Sequence, residues 1–289
     1  MNRRNFIQTL AFTTMGATMN LGALNILGQS KSTTPMPVLF VGHGNPMNAI
    51  EENPFVTSWR NIAKTVPTPS AILCISAHWE TNGTLVTAME TPKTIHDFGG
   101  FPQALFDVQY PAPGSPELAK STKEFITSMN VGLDNQWGLD HGTWSVLKHF
   151  YPLANIPIVQ LSLNYKLTPI EHYNLAKEIT ELRSRGVLIV ASGNMVHNLG
   201  VIDWRNPNGG YDWANEANQT FINLIEKQDH TSLINYNKLG KSVQMSIPSP
   251  EHFLPLLYIL AQQQPNETVE FFNNQTVMGS LSMTSVVIR

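Results

Sequence analysis

The chain has 289 residues, with 18 basic and 21 acidic side chains and a formal charge of −3. Because no basic excess is present to neutralise a phosphate backbone, nucleic-acid binding is not expected. The only cysteine, Cys74, excludes disulfide scaffolds, cysteine zinc fingers and iron–sulfur proteins. Only 13% of the residues are charged and 42% are hydrophobic, so a chain of this length can build a core without disulfide bonds.

The first thirty residues are predicted to be an export leader that lies outside the fold. Arg3 and Arg4 precede an uncharged, mildly apolar stretch from about residue 10 to residue 27, which is typical of a twin-arginine signal. Glycines and asparagines interrupt this stretch, so no stable membrane span is predicted. An amphipathic N-terminal helix is the alternative. We therefore expect a leader over residues 1–30, a linker over residues 31–37, one folded domain over residues 38–289 and a periplasmic location, with a cytoplasmic location as the alternative.

Four short apolar runs predict strands that are buried on both faces. They cover residues 38–41, 71–75, 156–163 and 187–191, and Gly, Pro or Ser residues bound them. Continuous apolar runs of this length favour a parallel sheet.

One helix is predicted between the last two runs. Thr168 and Glu171 have the spacing of a capping box, Pro169 occupies the first helical position, and Gly186 follows the end. The apolar residues that recur at helical spacing, and are expected to face the sheet, are Ile170, Tyr173, Ala176, Ile179 and Leu182. Strands and helices that alternate in this way predict a single α/β domain with a central, largely parallel open sheet flanked by helices.

Three of the nine histidines follow predicted strands. His43 comes after the first run, His78 after the second and His197 after the fourth. Because the carboxyl ends of parallel strands meet at one edge of a sheet, these imidazoles are expected to converge there.

Other histidines are candidates for the same place. His252 precedes a predicted helix whose start Pro255 delays, and His141 lies in a segment rich in Gly and Trp. His96, beside Asp97, is a weaker candidate. The histidines predicted to be structural or solvent-facing are His149, His172 and His230.

A cluster of imidazoles with one carboxylate at hand suits Zn(II) or Fe(II). Protein ligands that leave open coordination positions are typical of a catalytic metal site. Such a site supports either hydrolysis by a metal-bound hydroxide or oxygen activation at ferrous iron, and the residues alone leave both open. The sequence has no Walker A motif, dinucleotide fingerprint or Gly-x-Ser-x-Gly motif.

The segments around these histidines resemble a known family. From about residue 37 to residue 289, the chain is similar to the DODA-type extradiol ring-opening dioxygenases, the 4,5-DOPA dioxygenase branch of the LigB-like class III superfamily. The twin-arginine leader departs from the usual cytoplasmic members. The matching segments are residues 42–47, 76–79, 94–102, 110–114, 140–144, 191–198, 250–257 and 278–283.

The resemblance implies one mononuclear, non-haem divalent metal, with Fe(II) expected for turnover and Zn(II) possible as the bound ion. His43 and His78 match the first two ligands. His252 occupies the segment that supplies a third ligand, where wider superfamily members use a glutamate, so Glu251 is the fallback. His197 matches a residue that is either a further ligand or the acid–base group.

The resemblance also implies the reaction, in which both atoms of O2 enter a catechol such as L-DOPA and open its ring by 4,5-cleavage. His141 matches a second pocket histidine and is expected to share the catalytic proton transfers with His197. From the residues alone, Trp79 and Trp144 each lie within three positions of a candidate histidine. The candidates for substrate contact at the pocket wall are Trp79, His96, Phe98 and Trp144, with ordinary packing as the alternative for each.

Two rival functions use the same histidines. A zinc hydrolase would activate water at the same metal and would need no dioxygen. A metal-stabilised binding protein would bind a catechol or a partner without turnover.

Overall fold

The computed structural model describes residues 34–289, so the predicted leader over residues 1–30 lies outside the described residues. The last residues of the predicted linker already belong to the folded domain. Met36 is buried, its N–H donates to the Arg183 carbonyl at 3.1 Å, and Arg183 Nε donates back to the Met36 carbonyl at 2.7 Å. The first strand begins at Val38, where the sequence predicted it.

Within the described residues, the sheets contain ten strands and the layers around them ten α-helices. Strands β1 to β10 cover Val38–Gly42, Ala71–Thr81, Thr84–Thr87, Val131–Asp134, Ile158–Asn164, Val187–Gly193, Val269–Phe272, Thr276–Val277, Leu281–Ser282 and Ser285–Ile288. Helices α1 to α10 cover Pro54–Thr65, Gln103–Phe106, Pro116–Phe125, His141–Phe150, Pro169–Glu178, Glu181–Ser184, Asp212–Glu226, His230–Ile234, Lys241–Ser246 and Leu254–Leu260. None of these helices is long and apolar enough to cross a bilayer.

Eight strands form one open sheet in the order β4-β3-β5-β2-β6-β1-β10-β7. The four predicted strands, β1, β2, β5 and β6, are its centre and run parallel. Antiparallel pairing occurs where β10 joins β1 and β7 and where β3 joins β5. Strands β8 and β9 form a separate antiparallel pair. The prediction of a single α/β domain with a largely parallel open sheet is confirmed.

The central strands separate two hydrophobic clusters because successive side chains point to opposite faces of a strand. In β1, Val38 and Phe40 pack into one cluster, with residues from α3, α5, α7 and α10. Leu39 and Val41 pack into the other, with residues from α1 and α4. Burial on both faces explains why these strands are continuously apolar in sequence.

Strand β2 is longer than the predicted run and reaches Thr81, so His78 lies within a strand rather than after it. The register between β2 and β5 shifts between Ile75 and Glu80. Such an irregularity bends a strand and re-aims its side chains. His78 lies in this irregular stretch, at the same sheet edge as the ends of β1 and β6.

The predicted helix is two helices, α5 and α6, separated by two residues after Glu178. The capping box of Thr168 and Glu171 is confirmed. The prediction for Ile170 is wrong, because its side chain is 45% exposed, near the N-terminal end of α5. Of the two alternatives predicted for His172, structural or solvent-facing, the structure supports the structural one. His172 is fully buried, and its Nδ1 lies 2.9 Å from the Tyr258 hydroxyl oxygen.

Candidate active site

Five of the six candidate histidines, all but His96, line one cavity of about 350 Å³ at the carboxyl-end edge of β1, β2 and β6. His43 follows β1 directly, and His141 is the first residue of α4. His197 lies four residues after β6, and His252 lies just before α10. The fold therefore brings together side chains that are more than 200 residues apart in the chain.

The rings of His43, His78 and His252 form a nearly equilateral triangle. Their centroids are 5.0 Å apart for His43 and His78, 5.3 Å for His43 and His252, and 5.0 Å for His78 and His252. His141 lies beside this triangle, 3.8 Å from the His78 ring. His197 stacks on His252 with a centroid distance of 3.4 Å.

Hydrogen bonds determine which nitrogen His43 presents to the cavity. Ser192 Oγ donates to the Gly142 carbonyl at 2.6 Å, so its hydrogen is committed there. His43 Nδ1 lies 3.0 Å from the same Oγ and must therefore be the N–H donor. This leaves the lone pair of Nε2 free, and Nε2 is the nitrogen that faces His78.

A carboxylate behind the site orients two more imidazoles. Asp97 Oδ2 lies 3.4 Å from His78 Nδ1 and 3.0 Å from His141 Nδ1, and Asp97 Oδ1 accepts the His141 backbone N–H at 2.9 Å. Burial acts to raise the pKa of Asp97, but its contacts with His141 and His78 outweigh burial and hold the pKa below its ordinary value. A charged acceptor beside both Nδ1 atoms favours protons there and leaves both Nε2 atoms free.

His252 has a carboxylate partner of its own. Its Nδ1 lies 3.2 Å from Glu251 Oε1, so Nε2 is again the available donor atom. Glu251 therefore stands beside the third predicted ligand. One ligand atom each from His197, Glu251 and His252 can be placed within 4.8 Å of one another, and the same holds for His43, His78 and His141.

Burial favours the neutral form of four imidazoles, and metal binding requires that form. Burial lowers the pKa of His43, His78 and His252 well below the ordinary value of 6.5, and neighbouring imidazoles lower it further. Burial also lowers the pKa of His197, to about 4.

The donor set fits a metal ion. His43 Nε2 and His78 Nε2 face each other at 3.1 Å. The hydrogen bond of His43 Nδ1 to Ser192 leaves a lone pair on the first, and the Asp97 carboxylate 3.4 Å from His78 Nδ1 favours a lone pair on the second. Two lone pairs at this distance repel unless a cation lies between them. Two nitrogens bonded to one tetrahedral ion at about 2.0–2.1 Å would be about 3.4 Å apart, close to the observed separation.

Close backbone packing holds these side chains in place. A Cβ atom on Gly142 would lie 2.5 Å from Ser76 Oγ and 2.9 Å from the His78 ring, so α4 approaches β2 this closely only with glycine there. Behind it, the buried Asp140 caps α4 through the Thr143 N–H and accepts a hydrogen bond from Ser76 Oγ at 2.7 Å.

Of the predicted substrate contacts, Phe98 lines the cavity and the other three do not. Trp79 is buried and stacks on Trp137 at 5.8 Å. Trp144 is fully buried, and its indole N–H donates to the Ile95 carbonyl at 2.7 Å. The His96 ring lies 5.5 Å from the Trp144 ring and 5.8 Å from the Phe98 ring. His96 and Trp144 therefore pack behind Phe98, which lines the cavity. The apolar lining residues that the sequence did not single out are Phe101, Leu199, Ile202, Trp204, Met278 and Leu281.

Sequence reasoning also missed two orienting residues, Asp97 and Ser192. A signal for each was present in the sequence. Asp97 follows a candidate histidine directly, and Ser192 directly follows a predicted strand. Neither signal says which imidazole the residue contacts.

Residues 33–288 match the family described as the catalytic LigB subunit of aromatic ring-opening dioxygenase. The chain belongs to this family, and it is an extradiol-type ring-opening dioxygenase, as the sequence resemblance implied.

Curated relatives agree with this assignment. The chain is 47% identical over 264 residues to the 4,5-DOPA dioxygenase extradiol of Escherichia coli K12, covering 89% of this chain and 96% of the relative. It is 34% identical over 240 residues to the protein of the same name from Mirabilis jalapa, covering 81% and 89%. The crystal structure of an uncharacterized protein from Escherichia coli K12 superposes with a TM-score of 0.76 at 40% identity, covering 88% of this chain and all of that one.

Proposed function

We propose that the protein is a metal-dependent extradiol dioxygenase that opens the ring of a catechol such as L-DOPA by 4,5-cleavage. The observation that carries the metal dependence is the pair of His43 and His78 Nε2 atoms, 3.1 Å apart, partly buried and placed beside Ser192 and Asp97. In the reaction, one ring bond beside a hydroxyl-bearing carbon breaks. Both atoms of O2 end in the product, one in an aldehyde and one in a carboxylate.

We assign the metal to His43, His78 and His252, with His197 as a further donor or as the acid–base group. Fe(II) bound there would supply the redox chemistry that lets dioxygen react with a catechol, and redox-inert Zn(II) would not. The ring triangle supports this set, because each of the three centroids lies within 5.3 Å of the other two.

Two histidines can move protons during the reaction. His197, whose pKa burial lowers to about 4, is neutral at working pH and can accept a proton from a catechol hydroxyl. His141 has the Asp97 carboxylate at its Nδ1, so its Nε2 presents a lone pair to the cavity, where it can accept a proton and later return it. Phe98 and the other apolar lining residues exclude water from these steps.

The decisive experiment uses the purified protein stripped of metal and reloaded with Fe(II) or Zn(II). Oxygen uptake and product absorbance are followed with L-DOPA and with simpler catechols. We expect one O2 consumed per ring opened with Fe(II), and catechol binding without turnover with Zn(II). Ester or amide hydrolysis that persists with Zn(II) and without O2 would instead identify a hydrolase. Catechol binding without oxygen uptake under either metal would identify a binding protein.

We also propose that residues 1–30 direct export to the periplasm through the twin-arginine route. The support is the Arg3-Arg4 pair ahead of an uncharged, mildly apolar stretch. The test is to follow the location of the full-length protein in a bacterial host and then exchange both arginines for lysine. Retention of the wild-type protein in the cytoplasm would contradict the proposal.

A further inference from the structure

The mouth of the cavity is apolar. Leu199, Ile202 and Trp204 line the cavity, and we name these three residues the apolar rim. Leu199 is 57% exposed and Trp204 66% exposed, so both present large apolar side chains to water. Covering such surface with an apolar group is favourable in proportion to the area removed from water.

The apolar rim is held in place by hydrogen bonds at both ends of its segment. At the start, the Asn198 N–H donates to the Ser280 carbonyl at 3.1 Å, and Asn198 Nδ2 donates to the Met245 carbonyl at 2.8 Å. At the end, the Asp203 N–H donates to the Met278 carbonyl at 2.8 Å. Because the segment is tethered, binding a ligand there costs little ordering of the protein.

No fully charged side chain lines the cavity within residues 34–289. The nearby carboxylates of Asp97 and Glu251 lie against imidazoles. Arg205 follows the apolar rim, but its side chain is 94% exposed and its Nε lies 3.4 Å from Asp203 Oδ1. An amino-acid tail placed against the apolar rim would therefore lose water from two charges without gaining a partner.

We propose that the preferred substrates are catechols whose ring substituent is uncharged and apolar, with this substituent lying against the apolar rim. This inference rests on the proposed ring-opening function and specifies its substrate class. A catechol bound near the imidazoles directs its substituent toward the mouth, where Leu199 and Trp204 can cover it.

The test compares four substrates whose tails all begin with a methylene on the ring. They are 4-propylcatechol (uncharged), 3-(3,4-dihydroxyphenyl)propionic acid (anionic), dopamine (cationic) and L-DOPA (zwitterionic). A methylene moved fully out of water is worth about fourfold in binding, so half burial of the two carbons beyond the shared methylene predicts about fourfold. We expect kcat/KM of the Fe(II)-loaded enzyme to be at least about fourfold higher for 4-propylcatechol than for L-DOPA.

Variants identify the surface responsible. Trp204→Ala and Leu199→Ala are each expected to lower kcat/KM for 4-propylcatechol more than for L-DOPA. Leu153→Ala is the matched control, because Leu153 is 80% exposed and does not line the cavity. Arg205→Ala should change kcat/KM for L-DOPA by less than about twofold, since its guanidinium has no role at the cavity in this scheme.

Failure of this inference is distinguishable from failure of the proposed function. An L-DOPA value equal to or above that of 4-propylcatechol would overturn the preference while leaving ring opening intact. A tenfold loss for L-DOPA alone in Arg205→Ala would also overturn it and identify a carboxylate clamp. If the Fe(II)-loaded enzyme opened none of the four rings, the proposed function itself would fall.

Discussion

Replacing Asp97 by asparagine tests whether the site is built around free Nε2 atoms. Oδ2 of Asp97 faces the Nδ1 atoms of both His78 and His141, at 3.4 and 3.0 Å. In Asp97→Asn, the amide oxygen can keep the His141 backbone N–H, which places the NH2 group against the two Nδ1 atoms. Two donors then face each other, and each imidazole relieves the conflict by moving its proton from Nδ1 to Nε2.

The expected cost is a loss of metal affinity. A proton on His78 Nε2 occupies the lone pair that the ion requires, so it must move before binding. Loss of a partner that orients a metal-bound histidine typically weakens binding about 10- to 100-fold, which corresponds to about 1.4 to 2.7 kcal/mol. The same tautomer change would place a proton on His141 Nε2, the nitrogen assigned to proton transfer, so kcat is expected to fall in the metal-saturated variant.

The assay is competition for Zn(II) or Co(II) between the apoprotein and a chromophoric chelator at neutral pH. Asp107→Asn is the matched control, because Asp107 is exposed on the same stretch of chain and accepts a hydrogen bond from the nearby Gln103. Nitrogen-15 shifts of the histidine rings in the apoprotein report the tautomers directly. If Asp97→Asn bound metal within twofold of wild type and His78 kept its proton on Nδ1, the orienting role assigned to Asp97 would be refuted.

Three further predictions concern the neighbouring side chains. His252→Gln is expected to abolish tight metal binding, as measured by chelator competition. His141→Gln should keep the metal and lose about 100-fold or more in kcat, as measured by oxygen uptake. Equal losses of metal affinity in the two variants would make His141 a ligand. Gly142→Ala is expected to weaken metal binding at least tenfold in a folded protein, because the new Cβ would lie 2.9 Å from the His78 ring, and unchanged affinity would contradict this. Burial lowers the pKa of His172 to about 4, so its contribution to stability is complete above pH 6.5 and is lost as the pH falls toward 4. Between pH 7 and pH 4, His172→Gln should therefore lose about 3 kcal/mol less of its free energy of unfolding than wild type in urea titrations, and identical losses would refute the assignment.

The centre of the sheet could be predicted because burial on both faces leaves a direct signature in sequence. The four apolar runs are the four central strands, and their parallel order explains why His43 and His197 reach one edge. The outer strands could not be predicted in the same way. β4 and β7, at the two edges, are short and partly exposed, so their patterns do not differ clearly from those of loops.

Most of the site histidines could be located for the same topological reason, but their hydrogen-bond partners could not. Asp97 lies on a loop between β3 and α2, and its distance to His141 depends on how that loop packs against α4. Ser192 contacts His43 because β1 and β6 are neighbours in the sheet, which sequence order does not reveal. Long-range packing of this kind has no local pattern to read.

Trp79 does not line the cavity, for a geometric reason that applies to any site built on strands. It adjoins His78 in sequence, and successive side chains of a strand point to opposite faces. His78 faces the cavity, so Trp79 must face away, and it packs on Trp137 instead. The residues that do share the cavity with His78 come from a loop after β6 and from the segment around β9, where the chain returns to the same edge. Two residues that are adjacent in a strand are therefore not expected to share a site. The residues of the apolar rim are distant from His78 in sequence and could be found only from the folded structure.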